Sequence, residues 1–119
     1  MQRLFLLIPI LCAVCFSGTL LAQTEIAVSP ADAAKHVGEH VTVEGIVVNV
    51  FTSKNGNTFV NFGAAYPNQT FTAWIPSGSA AADVSNLDGE KIRVTGKIDL
   101  YKGKPEIHVM SQDQIQSEK

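Results

Sequence analysis

Cysteine is the first shortage. The chain of 119 residues has two, Cys12 and Cys15, both inside its first 22 positions. The remainder therefore offers no disulfide, no thiolate metal ligand and no cysteine nucleophile. A surplus of positive charge is also lacking, because nine Lys and Arg stand against eleven Asp and Glu, a net charge of −2. This excludes the strongly basic class of nucleic-acid binders and leaves room only for a local basic patch. Carboxylates occur singly rather than paired beside a general base, and there is no nucleophile elbow and no phosphate-cradling glycine loop. The expectation is a protein that is not an enzyme and carries no cofactor. No metal is expected either: His36 and His40 are four apart, but Gly38 ends the helix between them, and His108 stands alone. Internal repeats and low-complexity stretches are absent.

The one long apolar run comes first. Met1-Gln-Arg3 gives a short basic start, residues 4–16 are apolar without a break, and Ser17-Gly-Thr-Leu-Leu-Ala22 supplies small residues before polar Gln23. This is the pattern of a secretory signal peptide cleaved after Ala22. An uncleaved anchor competes, but residues 4–22 are short for a membrane helix and Ser17-Gly18-Thr19 interrupts them. The expected organisation is a signal peptide over 1–22 and one domain over 23–119, periplasmic or secreted, with no membrane anchor after cleavage. Arg3 leaves with the leader, so the domain carries eight basic against eleven acidic residues. Its core must hold it without staples, which is feasible at this size.

Within the domain, hydrophobic alternation dominates. Ser29-Pro-Ala-Asp-Ala-Ala-Lys-His-Val-Gly38 predicts a short helix, with Ser29 as N-cap, Pro30 in the first turn and Gly38 at the left-handed end. A strand follows over 41–51. Its apolar row falls on Val41 and Val43, then on Ile46, Val48 and Val50, so a bulge or bend is expected at Gly45. Asn55-Gly56 marks a hairpin turn. Strands are predicted over 58–63, 71–75, 91–101 and 106–110, with a short helix around 80–84. In the fourth strand Ile92, Val94, Ile98 and Leu100 should face inward, with Gly96 on the same row where a bend or close approach is needed. The polar tail from Ser111 is expected to fray after Ile115. Five strands in this order predict an all-β, five-stranded OB-fold barrel with a short N-terminal helix, against a five-stranded sandwich as the competitor.

Val41-Thr-Val-Glu-Gly45, Thr58-Phe-Val-Asn-Phe-Gly63, Phe71-Thr-Ala-Trp-Ile-Pro76, Val94-Thr-Gly-Lys-Ile98 and Tyr101-Lys-Gly-Lys-Pro-Glu-Ile107 resemble small bacterial exported OB-fold proteins. That group belongs with nucleic-acid-binding OB folds of the tRNA-anticodon-binding kind. The resemblance implies single-stranded nucleic acid as the partner. A second exported OB group, linked to envelope stress and to small cationic or sugar-like ligands, is similar in plan; it implies a small ligand, glycan, cation or protein partner on the same face.

A single-stranded nucleic acid needs cations along its phosphates and aromatic faces for its bases. On the usual OB surface the candidates are Lys54 and Asn57 in the first hairpin loop, Trp74 on the third strand, Arg93 and Lys97 on the fourth, and Tyr101, Lys102 and Lys104 in the last turn. Each has a plainer reading. A lone Trp in a small domain is often buried. Lys102 and Lys104 can simply solvate a turn, and Lys97 alternates as on any half-exposed strand. Asn61 is not assigned to a face, and Tyr66-Pro67 suits a cap over the barrel end.

Overall fold

The computed structural model describes residues 26–79, 84 and 86–118. The signal peptide expected over 1–22 lies outside them, as does nearly all of the helix expected around 80–84. The described chain is mostly β: β1 Ala27–Val28, β2 His40–Thr52, β3 Thr58–Phe62, β4 Phe71–Ile75, β5 Lys91–Tyr101, β6 Lys104–His108 and β7 Ile115–Ser117. A 3₁₀ helix, Pro30–His36, precedes β2. Its N-cap is Ser29, whose Oγ accepts from the Asp32 amide at 3.2 Å, and Gly38 beyond it has φ +89°.

Five strands form a closed ring in one sheet. β2 pairs with β3, β3 with β4, β4 with β6, β6 with β5, and β5 returns to β2. Only the β4–β6 pairing in the ring is parallel. β2 closes the ring by serving two neighbours in turn, with 40–46 lying against β5 and 47–52 against β3. The short β1 and β7 extend this arrangement beside β2 and β5.

The bend in β2 corrects the sequence reading. The register shifts between Val47 and Asn49, not at Gly45. Val43 and Val47 are therefore both fully inward, while Ile46 and Val48, expected inside, are exposed. Val48 is the extra residue of the bulge, and the inward row resumes at Val50, which packs against the core. Gly45 is small for another reason. A Cβ there would lie 2.5 Å from the Pro30 ring and 3.3 Å from Phe62, so the 3₁₀ helix rests directly on its backbone.

The core fills the ring. Phe62 and Phe71 face each other at 5.3 Å between rings, surrounded by Val60, Ala73, Ile92, Val94, Ile98 and Ile107, all at 0 % exposure. Each large apolar side chain so buried contributes about 1.5–3 kcal/mol. Leu100, expected inside, is exposed, because it pairs with Pro105 beyond the layer formed by Ile98 and Ile107. The turn from β5 to β6 is two residues long. Lys102 (φ 51°) and Gly103 (φ 80°) are both left-handed, so β6 begins at Lys104, earlier than expected, opposite Tyr101.

The C-terminal tail does not fray at Ile115. Residues 115–117 form β7 against β5. Gln114 fixes the approach: its Oε1 accepts from the Met110 and Ser111 amides at 2.7 and 3.1 Å, and its Nε2 donates to the Thr95 and His108 carbonyls at 2.9 and 3.1 Å. Arg93 then joins Glu44 of β2 to Glu118 beyond β7. Glu44's carboxyl lies below the ordinary value of 4.5, first through its hydrogen bond with Glu118, then through Arg93 and the charge of Lys91, with burial opposing. A depressed folded value means a contribution present above the unfolded value and lost as pH falls through the folded one. Thermal melts from about pH 6 to about pH 3 should show Glu44→Gln losing less stability than the parent, the two converging at the acid end. Parallel curves at constant separation would mean that this ionisation does not support the tail.

Candidate functional site

Inward Val50, Val60, Ala73 and Ile107 dictate what alternation places outside. Two rows of side chains cross the outer face of the ring, one residue per strand. Asn49, Asn61, Thr72, Glu106 and Asp99 are successive cross-strand partners over β2, β3, β4, β6 and β5. Phe51, Phe59, Trp74 and His108 form the neighbouring row over the first four of these strands.

The polar row is wired. The Thr72 hydroxyl donates to Asn61 Oδ1 at 2.9 Å, and Asn61 Nδ2 donates to Asn49 Oδ1 at 2.9 Å. Thr72 and Asn61 are buried, so these bonds satisfy groups that would otherwise be costly to desolvate. Glu106, 8 % exposed, meets His108 Nε2 through its Oε2 at 3.2 Å. In the aromatic row the Phe51 and Phe59 rings stack at 6.2 Å and 29°, and the Trp74 and His108 rings meet at 4.7 Å and 60°.

A groove of about 490 Å³ lies over the polar row from Asn49 to Glu106 and the Phe51–Phe59 end of the aromatic row. The β3–β4 loop forms one wall with Ala65, Tyr66 and Gln69, and the β5–β6 hairpin forms the other with Tyr101, Lys104 and Pro105. Lys104 joins the walls, since its Nζ donates to the Gln69 carbonyl at 3.1 Å. Gln69 itself is 7 % exposed, and its Oε1 is buried with no hydrogen-bond partner. Tyr66 and Tyr101 are more than half exposed. One cation and one anion, Lys104 and Glu106, line the groove.

The residues singled out from the sequence divide by position. Tyr101 and Lys104 line the groove, and the Lys102 ammonium stands 5.4 Å from the Tyr101 ring centroid. Lys54 and Asn57 are at the β2–β3 turn, where Asn57 Oδ1 accepts from the Ser77 amide at 2.9 Å. Trp74 is half-buried beside His108, outside the groove lining. Arg93 is engaged with Glu44 and Glu118, and Lys97 lies opposite His40; neither lines the groove. Tyr66, read as a cap over the barrel end ahead of a binding role, lines the groove.

Sequence reasoning placed Thr72 on the face of Trp74 without giving it a role, and passed over Phe51, Phe59, Asn49, Gln69 and Glu106. Alternation around buried Val60 could have placed Phe59 and Asn61 outside. Nothing local marks Gln69 or Glu106, which come to line one groove only through the β4–β6 pairing and the loop beside it.

No family model matches the sequence, and no curated protein matches it. Among solved structures, one assigned as an aspartyl-tRNA synthetase from Leishmania major Friedlin superposes with a TM-score of 0.54 at 10% identity, over 88% of this chain and 23% of that one. The chain thus spans about a quarter of that protein's length, and the likeness at this identity is one of fold.

Proposed function

We propose that this is a non-catalytic OB-fold protein that holds a short single-stranded nucleic acid in the groove. The ring order, with its one parallel pairing, supports an OB reading, in which the surface for oligonucleotides would be this outer face. The structural neighbour is assigned as an enzyme that acts on tRNA, which fits the same reading. The signal-peptide pattern of residues 1–22 would make the protein periplasmic or secreted. One observation carries the proposal: exposed aromatic rings and lysines flank a continuous groove, with Phe51, Tyr66 and Tyr101 available to bases and Lys102 and Lys104 to phosphates. Lys54 at the β2–β3 turn extends the cationic side. Stacking is tolerant of sequence, and a few lysines supply modest affinity.

Fluorescence polarisation with labelled single strands of about eight nucleotides tests this. With three lysines on phosphates, log K should fall against log salt with a slope of about −2. A flat titration at low salt would remove nucleic acid from consideration. The neutral amides along the groove favour a second reading, a small polar ligand or glycan on the same face. Saturable quenching by a sugar library, with no response to oligonucleotides, would select it.

A further inference from the structure

We infer that the groove selects bases that carry an exocyclic amine, so that it takes cytosine in preference to thymine or uracil. This rests on the nucleic-acid reading above and adds a base preference to it. Hydrogen-bond polarity across the face supplies the argument. Glu106 is acceptor-only when ionised. Its Oε2 is held by His108, while its Oε1 takes no hydrogen bond from any described residue, and the side chain lines the groove. The Thr72 hydroxyl spends its proton on Asn61, which leaves its oxygen lone pairs as the groove-facing function. Thr72 and Glu106 are cross-strand partners, so two acceptors stand side by side, while the relay runs away from them toward Asn49.

A ligand group that satisfies such a cluster must donate. The amine of cytosine does. Thymine and uracil present a carbonyl oxygen at the same position and a single donor, N3–H, on that edge, so acceptor meets acceptor where the cytosine amine would donate. Cytosine and thymine are both pyrimidines of similar size, so comparing them isolates this edge from stacking and from phosphate contacts. Lys104 keeps N–H donors beyond its bond to the Gln69 carbonyl, and the reading above gives these to phosphate, so they act on both bases alike.

The test is fluorescence polarisation of the purified protein with labelled oligo(dC) and oligo(dT) of equal length at one low salt concentration. The expected result is about tenfold tighter binding of oligo(dC). Oligomers of N4,N4-dimethylcytosine, which lack the N–H donors, should bind like oligo(dT). Glu106→Gln, with its fold checked by thermal melting, should narrow the preference to within about twofold. Equal binding of oligo(dC) and oligo(dT) would overturn the base preference and leave nucleic-acid binding standing. A preference that survives either the methylated base or Glu106→Gln would also overturn it. Binding of neither strand would remove the nucleic-acid reading, and this inference with it.

Discussion

Gly96→Ala is expected to lower the unfolding free energy by about 1–3 kcal/mol, the cost of forcing an extra methyl into a filled interior. For a domain of this size, each kcal/mol lowers the melting midpoint by roughly 4–8 °C. Two approaches cause it, the closer to Ile107 and a second, at 3.1 Å, to Gln114 Nε2. A Cβ on Gly96 would stand 2.6 Å from Ile107 Cγ2, and Ile107 is completely buried, so its methyl has nowhere to go. Gly96 and Ile107 belong to β5 and β6, whose contact completes the ring. Ile107→Leu removes the offending Cγ2; the remaining Ile107 neighbour is its Cβ at 3.9 Å, an ordinary contact. The double variant should therefore be more stable than the sum of the two single losses. Chemical denaturation of all four proteins measures this coupling. Simple additivity would place the glycine requirement at the Gln114 contact instead.

Much of the fold was legible because alternation is a strong signal where one face is buried. Lys91–Tyr101 reads as a strand with Ile92, Val94 and Ile98 inward, and the structure has that strand with that face. Ser29, Gly38 and Gly96 each carried a requirement that a short sequence motif can express. The errors have one physical source each. Ile46, Val48 and Leu100 are apolar and exposed, because a bulge and a hairpin tip take them off the core row. β7 was hidden because its anchor is a carboxamide: Gln114 satisfies amides and carbonyls from two strands and the turn before it, whereas hydropathy scores it as polar tail. The site was the least legible part. Phe59 and Phe62 lie in one strand on opposite faces, so composition alone does not say which aromatic meets ligand. Gln69 and Glu106 acquire meaning only from long-range pairing.

The wiring of the polar row explains why such residues sit on an outer face at all. Three neutral side chains in a hydrogen-bonded line, with buried members, form a floor that resists rearrangement. Aromatic rings beside a rigid polar floor can orient a flat ligand, since stacking fixes its plane and the floor fixes its edge. Charge plays a small part, in keeping with an acidic chain. Binding here should therefore respond more to loss of rings than to loss of any one lysine.

Phe51→Ala and Tyr101→Ala are the variants that follow. Each should weaken single-strand binding by about 1–3 kcal/mol, roughly 5- to 150-fold, the usual worth of one base stacked on an aromatic face. Both rings are more than half exposed, so truncation removes little core packing, and the melting midpoint should move only slightly. Phe51 comes from β2 and Tyr101 from the end of β5, on separate sides of the groove. If one strand of nucleic acid spans it, the two losses should add, because each ring serves a different base. Trp74→Phe provides the contrast. Trp74 is the sole tryptophan and the most obvious stacking candidate in the sequence, yet it packs on His108 outside the groove lining. Its replacement should leave affinity within about twofold, since no base is expected to stack there. The reverse pattern, with a large loss at Trp74 and none at Phe51 and Tyr101, would move the binding surface along the aromatic row toward β4 and β6. Affinities by polarisation, with melting curves alongside, separate the two arrangements.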